Sequence, residues 1–280
     1  MRYVFIFYIY VFVHSLQAAS TPSLGLETKI PFQVIHGLIV VEMTVDGSRG
    51  HYILDTGAEQ LVLNRTPERE DLTVLTAQGD RIAQQTSAQL SLGHAEITEV
   101  DAWIVDLHGL LPSIPRDLKI DGLVGSSVLA SHDILIDFGQ RQISILHQAS
   151  ISDVAVKGEL VKIPILNMVG QMPIIEAEIE DRIYRMGIDS GSNINLIDAD
   201  QVDFRRDQHY DLSIGNLRLM DLRIGVGNLP IRDEQKDAGI QGIISLSAFD
   251  ADQVLISTTD QVVYICYWDG RVDSPITERS

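Results

Sequence analysis

Ile39–Asn64 reads IVVEMTVDGSRGHYILDTGAEQLVLN, and Pro173–Asp198 reads PIIEAEIEDRIYRMGIDSGSNINLID. The two stretches align without a gap at an offset of 134 (173 minus 39). Working outward, Leu90–Gly93 (LSLG) matches Leu212–Gly215 (LSIG) at an offset of 122. Ile120–Leu146 (IDGLVGSSVLASHDILIDFGQRQISIL) matches Ile240–Cys266 (IQGIISLSAFDADQVLISTTDQVVYIC) at an offset of 120. Three blocks recurring in one order mark an internal duplication.

Within the repeats, short β-branched and alternating runs such as Ile39–Val45 and Ile174–Ile179 are punctuated by turn residues, among them Asp46-Gly47, Gly93, Gly139 and Gly215. That is strand patterning with period two. Helical periodicity is weak, and Gly125–His132 and Ser245–Asp252 are the best short candidates. The fold expected is mainly β, in two similar lobes: an N-terminal lobe over 28–147, an inter-lobe linker over 148–162, a C-terminal lobe over 163–268 and a tail over 269–280. The fall in offset from 134 to 122 gives the first lobe about twelve more residues between Asn64 and Leu90 than the second has between Asp198 and Leu212. This extra length includes Leu72–Gln85, whose centre Gln78-Gly79-Asp80 reads as a hairpin turn.

The chemistry sits at matched positions. Asp55-Thr56-Gly57 and Asp189-Ser190-Gly191 occupy the same place in the two repeats, each between apolar stretches. One such triplet is weak evidence, because Asp and Gly are favoured in simple turns. Two in register within a duplicated β chain are much stronger. Two carboxylates brought face to face cannot both ionise cheaply, so the pair holds one proton over a useful pH range. The charged member can then take a proton from a water while the protonated member donates to a substrate carbonyl. Gly57 and Gly191 allow a tight turn that presents N–H groups to the carboxylates. The hydroxyls of Thr56 and Ser190 can bond across the lobe interface and hold the two loops in register.

Composition narrows the field. The 280 residues carry 39 acidic against 21 basic side chains, a formal charge of −18, which disfavours nucleic acid and anionic membrane surfaces as partners. One cysteine, Cys266, allows neither an internal disulfide framework nor a thiolate metal cluster, and it reads as a buried structural thiol. Residues 1–19 read as a secretory signal. Arg2 is followed by the apolar run Tyr3–Val13, and Ala18, Ala19 and Ser20 offer a cleavage region. The run is about 11 residues, short of the roughly 20 that cross a bilayer. The mature chain is therefore expected to be exported, periplasmic or extracellular, with no stable membrane insertion.

Other motifs fail. The eight histidines include no HExxH, and neither a G-x-S-x-G elbow nor a phosphate loop is present. No metal or other cofactor is expected. Gly225-Val226-Gly227 reads as a turn, because Pro230 interrupts any dinucleotide fingerprint. Asp133 and Asp137 align with Gln253 and Ser257, which breaks the symmetry of a catalytic pair, so they read as turn or surface residues. Arg205-Arg206, flanked by Asp203 and Asp207, reads as solvated.

At this point the chain resembles the aspartic proteases, specifically bacterial single-chain members related to retropepsins. The resemblance covers nearly all of 30–267. It rests on DTGA at Asp55–Ala58, DSGS at Asp189–Ser192, and the apolar-apolar-Gly element Leu123-Val124-Gly125. It implies a bilobed β-barrel fold with the active cleft between lobes. Asp55 and Asp189 would be catalytic, with Thr56, Gly57, Ala58, Ser190, Gly191 and Ser192 shaping their loops. Leu72–Gln85 would be a flap over a peptide or protein substrate, with Ala77, Gln78, Gly79 and Asp80 at its tip. One chain suffices, so a monomer is expected.

Three departures stand out. Ser245 replaces the glycine matching Gly125, so the loop supporting Asp189 is expected to sit differently. Ala58 lacks the hydroxyl that Ser192 can offer its aspartate. Residues 65–89 hold no aromatic residue, unlike pepsin-like flaps. Two further readings stay open: a non-catalytic peptide- or ligand-binding protein on the same fold, and a homodimeric enzyme using Asp55 alone.

Overall fold

The computed structural model describes residues 27–66, 74–75, 81–82, 84–93, 95–107, 119–129, 132–146, 158–201, 208–227, 229 and 239–268. The expected signal sequence, Ala77–Asp80, Arg205-Arg206 and the tail 269–280 lie outside these residues.

Alternating apolar side chains close each half into a barrel. In the first half, β1 (Glu27–Ile35), β2 (Leu38–Val45) and β3 (Ser48–Leu54) lead into β4 (Leu61–Asn64). The short β5 (Val74–Leu75) and β6 (Arg81–Ile82) precede β7 (Gln84–Leu92), β8 (Ala95–Val105) and β9 (Gly122–Val124). The order β2-β3-β9-β4-β8-β7 closes on itself through a β2–β7 pairing. One helical turn, α1 (Ser126–Leu129), then leads to β10 (Asp133–Asp137) and β11 (Gln142–Leu146).

The second half repeats this order. It runs through β12 (Gly158–Pro164), β13 (Asn167–Val169), β14 (Met172–Ile179), β15 (Arg182–Asp189) and β16 (Asn195–Asp198). It continues through β17 (Gln208–Ile214), β18 (Leu217–Gly227), β19 (Gly242–Ser245), β20 (Gln253–Ser257) and β21 (Val262–Trp268). Here β14-β15-β19-β16-β18-β17 closes through β14–β17. The molecule is thus mainly β, with two closed six-stranded barrels, the bilobed architecture expected from the duplication. Burial repeats with the sequence: β2 reads BBBBeBiB and β14 BBBBeBeB, where B is buried, i intermediate and e exposed. The same face of each strand is taken from water in both lobes. Each fully buried Ile, Leu or Met contributes roughly 1.5–3 kcal/mol.

The hairpin β5–β6 has no counterpart in the second barrel among the described residues. Its pairs, Val74 with Ile82 and Leu75 with Arg81, fall within the segment that the offsets assigned to the first lobe alone.

A third sheet joins the halves. Strands β12-β21-β20-β10-β11-β1 run continuously from one lobe to the other, with Leu135 opposite Leu255. These two residues are equivalent at the offset of 120, so the pseudo-twofold axis passes through their pair. Three sequence readings are corrected here. Gly158–Lys162, placed with the linker, belong to β12 and pair with β21 from Trp268 to Tyr264. Gly225–Gly227 end strand β18, which pairs in parallel with β16; the apolar run before them carries the strand through the glycines. Asp133 and Asp137 are not surface residues: they sit in β10 at 0% and 6% exposure, on the face of the joining sheet that also carries Leu135, and only Asp137 keeps a turn role, its Oδ1 accepting from Gln140 N at 2.7 Å. Asp137 Oδ2 accepts from Gln253 Nε2 at 2.6 Å. Asp133 accepts from Ser257 Oγ at 3.4 Å, and from Thr258 N and Oγ1 at 2.6 and 2.7 Å. Each buried carboxylate of the first lobe thus meets a neutral donor of the second. Cys266 is buried on the same sheet, packed with Leu135, Leu255 and Tyr264.

Candidate active site

At the junction of the lobes Asp55 directly follows β3, and Asp189 is the last residue of β15. Parallel pairing with β9 and β19 fixes where the two strands end: Leu54 lies opposite Val124, and Asp189 opposite Ser245. The carbonyl of Val124 accepts from the N–H of Asp55 at 3.0 Å. Chain direction then reverses through Thr56-Gly57 and Ser190-Gly191, leaving both aspartates buried at 4% and 1% exposure.

The two loops interlock. Thr56 N donates to Ser190 Oγ and Ser190 N to Thr56 Oγ1, both at 3.0 Å. Thr56 Oγ1 also lies 3.3 Å from the Ile188 carbonyl, and Ser190 Oγ donates to the Leu54 carbonyl at 2.9 Å. Buried hydrogen bonds of this kind contribute about 1 kcal/mol each, and removing one partner leaves a costlier orphan. The lattice fixes the separation of the loops as firmly as it fixes either loop alone.

Each carboxylate is held by its own loop and touches the other. Gly57 N and Ala58 N both donate to Asp55 Oδ1 at 2.9 Å. Gly191 N donates to Asp189 Oδ1 at 2.8 Å, and the N–H groups of Gly57 and Ser192 also reach the Asp189 carboxylate. Across the junction, a Cβ added to Gly191 would stand 2.3 Å from Asp55 Cγ. Only glycine admits that approach, so residue type here serves proximity as well as turning. Burial pushes Asp189 up from 3.8 to about 6, against the lowering effect of the N–H donors from Gly191, Gly57 and Ser192. A carboxyl that keeps its proton to near neutral pH beside a second buried carboxyl can both give and take protons.

The expectation that Ser245 displaces the Asp189 loop is corrected. β19 keeps the same parallel register on β15 as β9 keeps on β3. Two contacts absorb the extra side chain: Ser245 Oγ donates to the Ser192 carbonyl at 2.7 Å, and Ser247 Oγ lies 2.7 Å from Ser245 Oγ; the backbone N–H of Ser245 donates to Asn195 Oδ1 at 2.9 Å. The hydroxyl of Ser192 is also not offered to Asp189. It donates to the Ile194 carbonyl at 2.8 Å, so the contrast with Ala58 does not distinguish the two carboxylates. Asn195 and Ser247 escaped the sequence reading; the signal was the Gly125-to-Ser245 mismatch, which marks a place needing compensation.

Two barrels, a joining sheet and two interlocked Asp-[Thr/Ser]-Gly loops define a class of bilobed β protein with a paired-carboxylate centre. Residues 41–128 match the family model described as Aspartyl protease. That span contains Asp55–Ala58 and Leu123–Gly125, and the similarity supports protease chemistry. Asp189 lies outside it. No curated protein matches the chain.

Proposed function

We propose that the chain is an exported aspartic endopeptidase in which Asp55 and Asp189 act on one water within a single polypeptide. The observation carrying this reading is the reciprocal lock of Thr56 and Ser190, which buries both aspartates at one junction with the Asp55 carboxyl against Gly191. The pair shares one proton, and burial raises the Asp189 carboxyl. In the first step Asp55 takes a proton from water, the hydroxyl adds to the scissile carbonyl carbon, and Asp189 gives its proton to the carbonyl oxygen. In the second step the proton on Asp55 passes to the amide nitrogen, the C–N bond breaks, and Asp189 recovers a proton from the diol. No covalent intermediate is needed. The substrate is a peptide or protein segment bound extended between the lobes, under the hairpin of the first. The chain acts as a monomer after removal of residues 1–19.

Cleavage of a peptide library by wild type, Asp55→Asn and Asp189→Asn from acidic to neutral pH tests the chemistry. Loss in both variants supports the single-chain pair. Activity surviving in Asp189→Asn overturns it in favour of a homodimer using Asp55, and no cleavage by any form leaves a binding protein. Fractionation with N-terminal sequencing of the mature chain tests export.

A further inference from the structure

We propose that a cavity at the lobe junction, lined by Ser190 but by neither aspartate, is a second ligand site for a small zwitterion with an apolar side chain, a free amino acid or a dipeptide, and that its occupancy is transmitted to Asp189. The cavity holds about 240 Å³ and is lined on its apolar side by Val34, Ile39, Phe138, Leu246 and Ala251. Arg141, Ser247 and Asp250 supply the polar lining. That volume is below the ~300 Å³ at which pockets for drug-sized ligands begin, yet far above the space one water needs. It suits a molecule of amino-acid size.

The pseudo-twofold explains why the space exists. Gly37 matches Gln171 at the offset of 134. The Gln171 side chain is buried at 4% exposure and reaches across the junction to the Leu129 carbonyl. Gly37 has no side chain to play that part toward the second lobe. Its nearest neighbours there are Asn193 Cβ and Ser247 Oγ, which an added Cβ would meet at 3.5 and 3.6 Å. One half of the junction is filled by the chain itself, and the other is left as a socket.

The lining chooses the ligand. Exposed Arg141, its guanidinium carbon 6.0 Å from the Phe32 ring, offers paired donors for a carboxylate. Ser245 Oγ spends its proton on the Ser192 carbonyl. Ser247 Oγ must therefore be the donor in the Ser245–Ser247 bond, and it faces the cavity as an acceptor. With Asp250 beside it, that end suits an ammonium group. A chain of charge −18 also disfavours a purely anionic ligand.

The same serines carry the coupling. Ser247 bonds Ser245, Ser245 bonds the Ser192 carbonyl, and the N–H of Ser192 bonds Asp189. Ser190, in the locked loop, lines the cavity directly.

The test uses the Asp55→Asn protein, in which Asp189 titrates alone and no turnover is required, so its outcome is independent of the protease reading. Calorimetry with L-leucine, L-phenylalanine, leucyl-leucine and the uncharged N-acetyl-leucinamide should show saturable binding of the zwitterions, with the uncharged probe at least about tenfold weaker. Comparing leucine with leucyl-leucine separates the free amino acid from the dipeptide. Arg141→Gln should weaken binding about tenfold, and Val34→Phe, which fills the cavity from a half-exposed position, should abolish it. Carbon NMR of the Asp189 carboxyl should show its titration displaced by the ligand, and Ser247→Ala should remove that displacement. No binding, or binding indifferent to both Arg141→Gln and Val34→Phe, overturns the site. An Asp189 titration unmoved by bound ligand overturns the coupling.

Discussion

In the first lobe, the loop after Asp55 is held by the residues after Gly125: Ser126 N donates to the Ala58 carbonyl, and Ser127 N and Ser126 Oγ donate to the Glu59 carbonyl, all at 2.8 Å. In the second, the hydroxyl of Ser245 takes over and bonds the Ser192 carbonyl at 2.7 Å. Gly125 and Ser245 differ in chemistry and hold the same place. At the joining sheet the opposite happens: Asp133 and Asp137 face Ser257 and Gln253 across the axis, and there the difference is the interaction itself. Around the carboxylates the lobes converge by different means, because the chemistry needs two equal loops. At the joining sheet they diverge, because two buried faces must complement each other.

The equality is tested hardest at the aspartates. Asp55→Asn and Asp189→Asn should each lower kcat/KM for a cleaved peptide by at least about 10³-fold, with both proteins as stable as wild type or more so. A large loss in only one variant breaks the symmetry of roles.

The complementarity comes next. Gln253→Asp sets a second buried carboxylate against Asp137 and should cost about 3–5 kcal/mol in urea unfolding. Adding Asp137→Gln to the same chain should recover most of that loss, since the donor–acceptor pair is restored in reverse. A double variant no more stable than the single one would deny the pairing its role.

Asp189 sharpens the comparison through pH. Its folded value of about 6 lies above 3.8, so the folded state binds the proton more tightly than the unfolded chain does. That contribution is complete below about pH 4 and is lost as pH rises towards 6 and beyond, by about 3 kcal/mol in all. Thermal unfolding followed across this window should show the decline in wild type and a flatter profile in Asp189→Asn. Activity should likewise fall above about pH 6, as the pair loses its proton.

The smallest effects belong to the loop supports. Gly125→Ser drives a Cβ to 2.2 Å from the Gln60 carbonyl oxygen and should cost about 1–3 kcal/mol. Ser245→Gly removes the hydroxyl that bonds the Ser192 carbonyl and Ser247 and should cost about 1 kcal/mol for each bond lost. Equal costs would mean that the two positions are interchangeable after all.

The offsets of 134, 122 and 120 carried the division into two like lobes, the unmatched hairpin and the matched positions of both aspartates, because a duplicated chain exposes its own strand boundaries. The Thr56–Ser190 lock was legible for the same reason: matched positions about a twofold axis must meet. What stayed hidden depended on pairing between unlike positions. Asp137 and Gln253 are not equivalent in the repeat, so nothing local says that they touch, and an aspartate read alone belongs on a surface. The end of the linker was obscured because β12 is an edge strand with exposed Gly158 and Glu159. Asn195, which holds the backbone N–H of Ser245, lies fifty positions away, and no periodicity connects them.

The mismatched joining sheet also bears on descent. Two identical first halves, brought together in the register of β10 with β20, would set Asp133 against Asp137 at both ends of the contact. The present first half therefore has no neutral donor of its own at those two positions, and the second half supplies one for each carboxylate. Fusion of two like units can be undone while they remain alike; once Gln253 and Ser257 stand opposite those two aspartates, it cannot. The joining sheet is a one-way gate in the history of the chain, and it ties the inheritance of each half to that of the other.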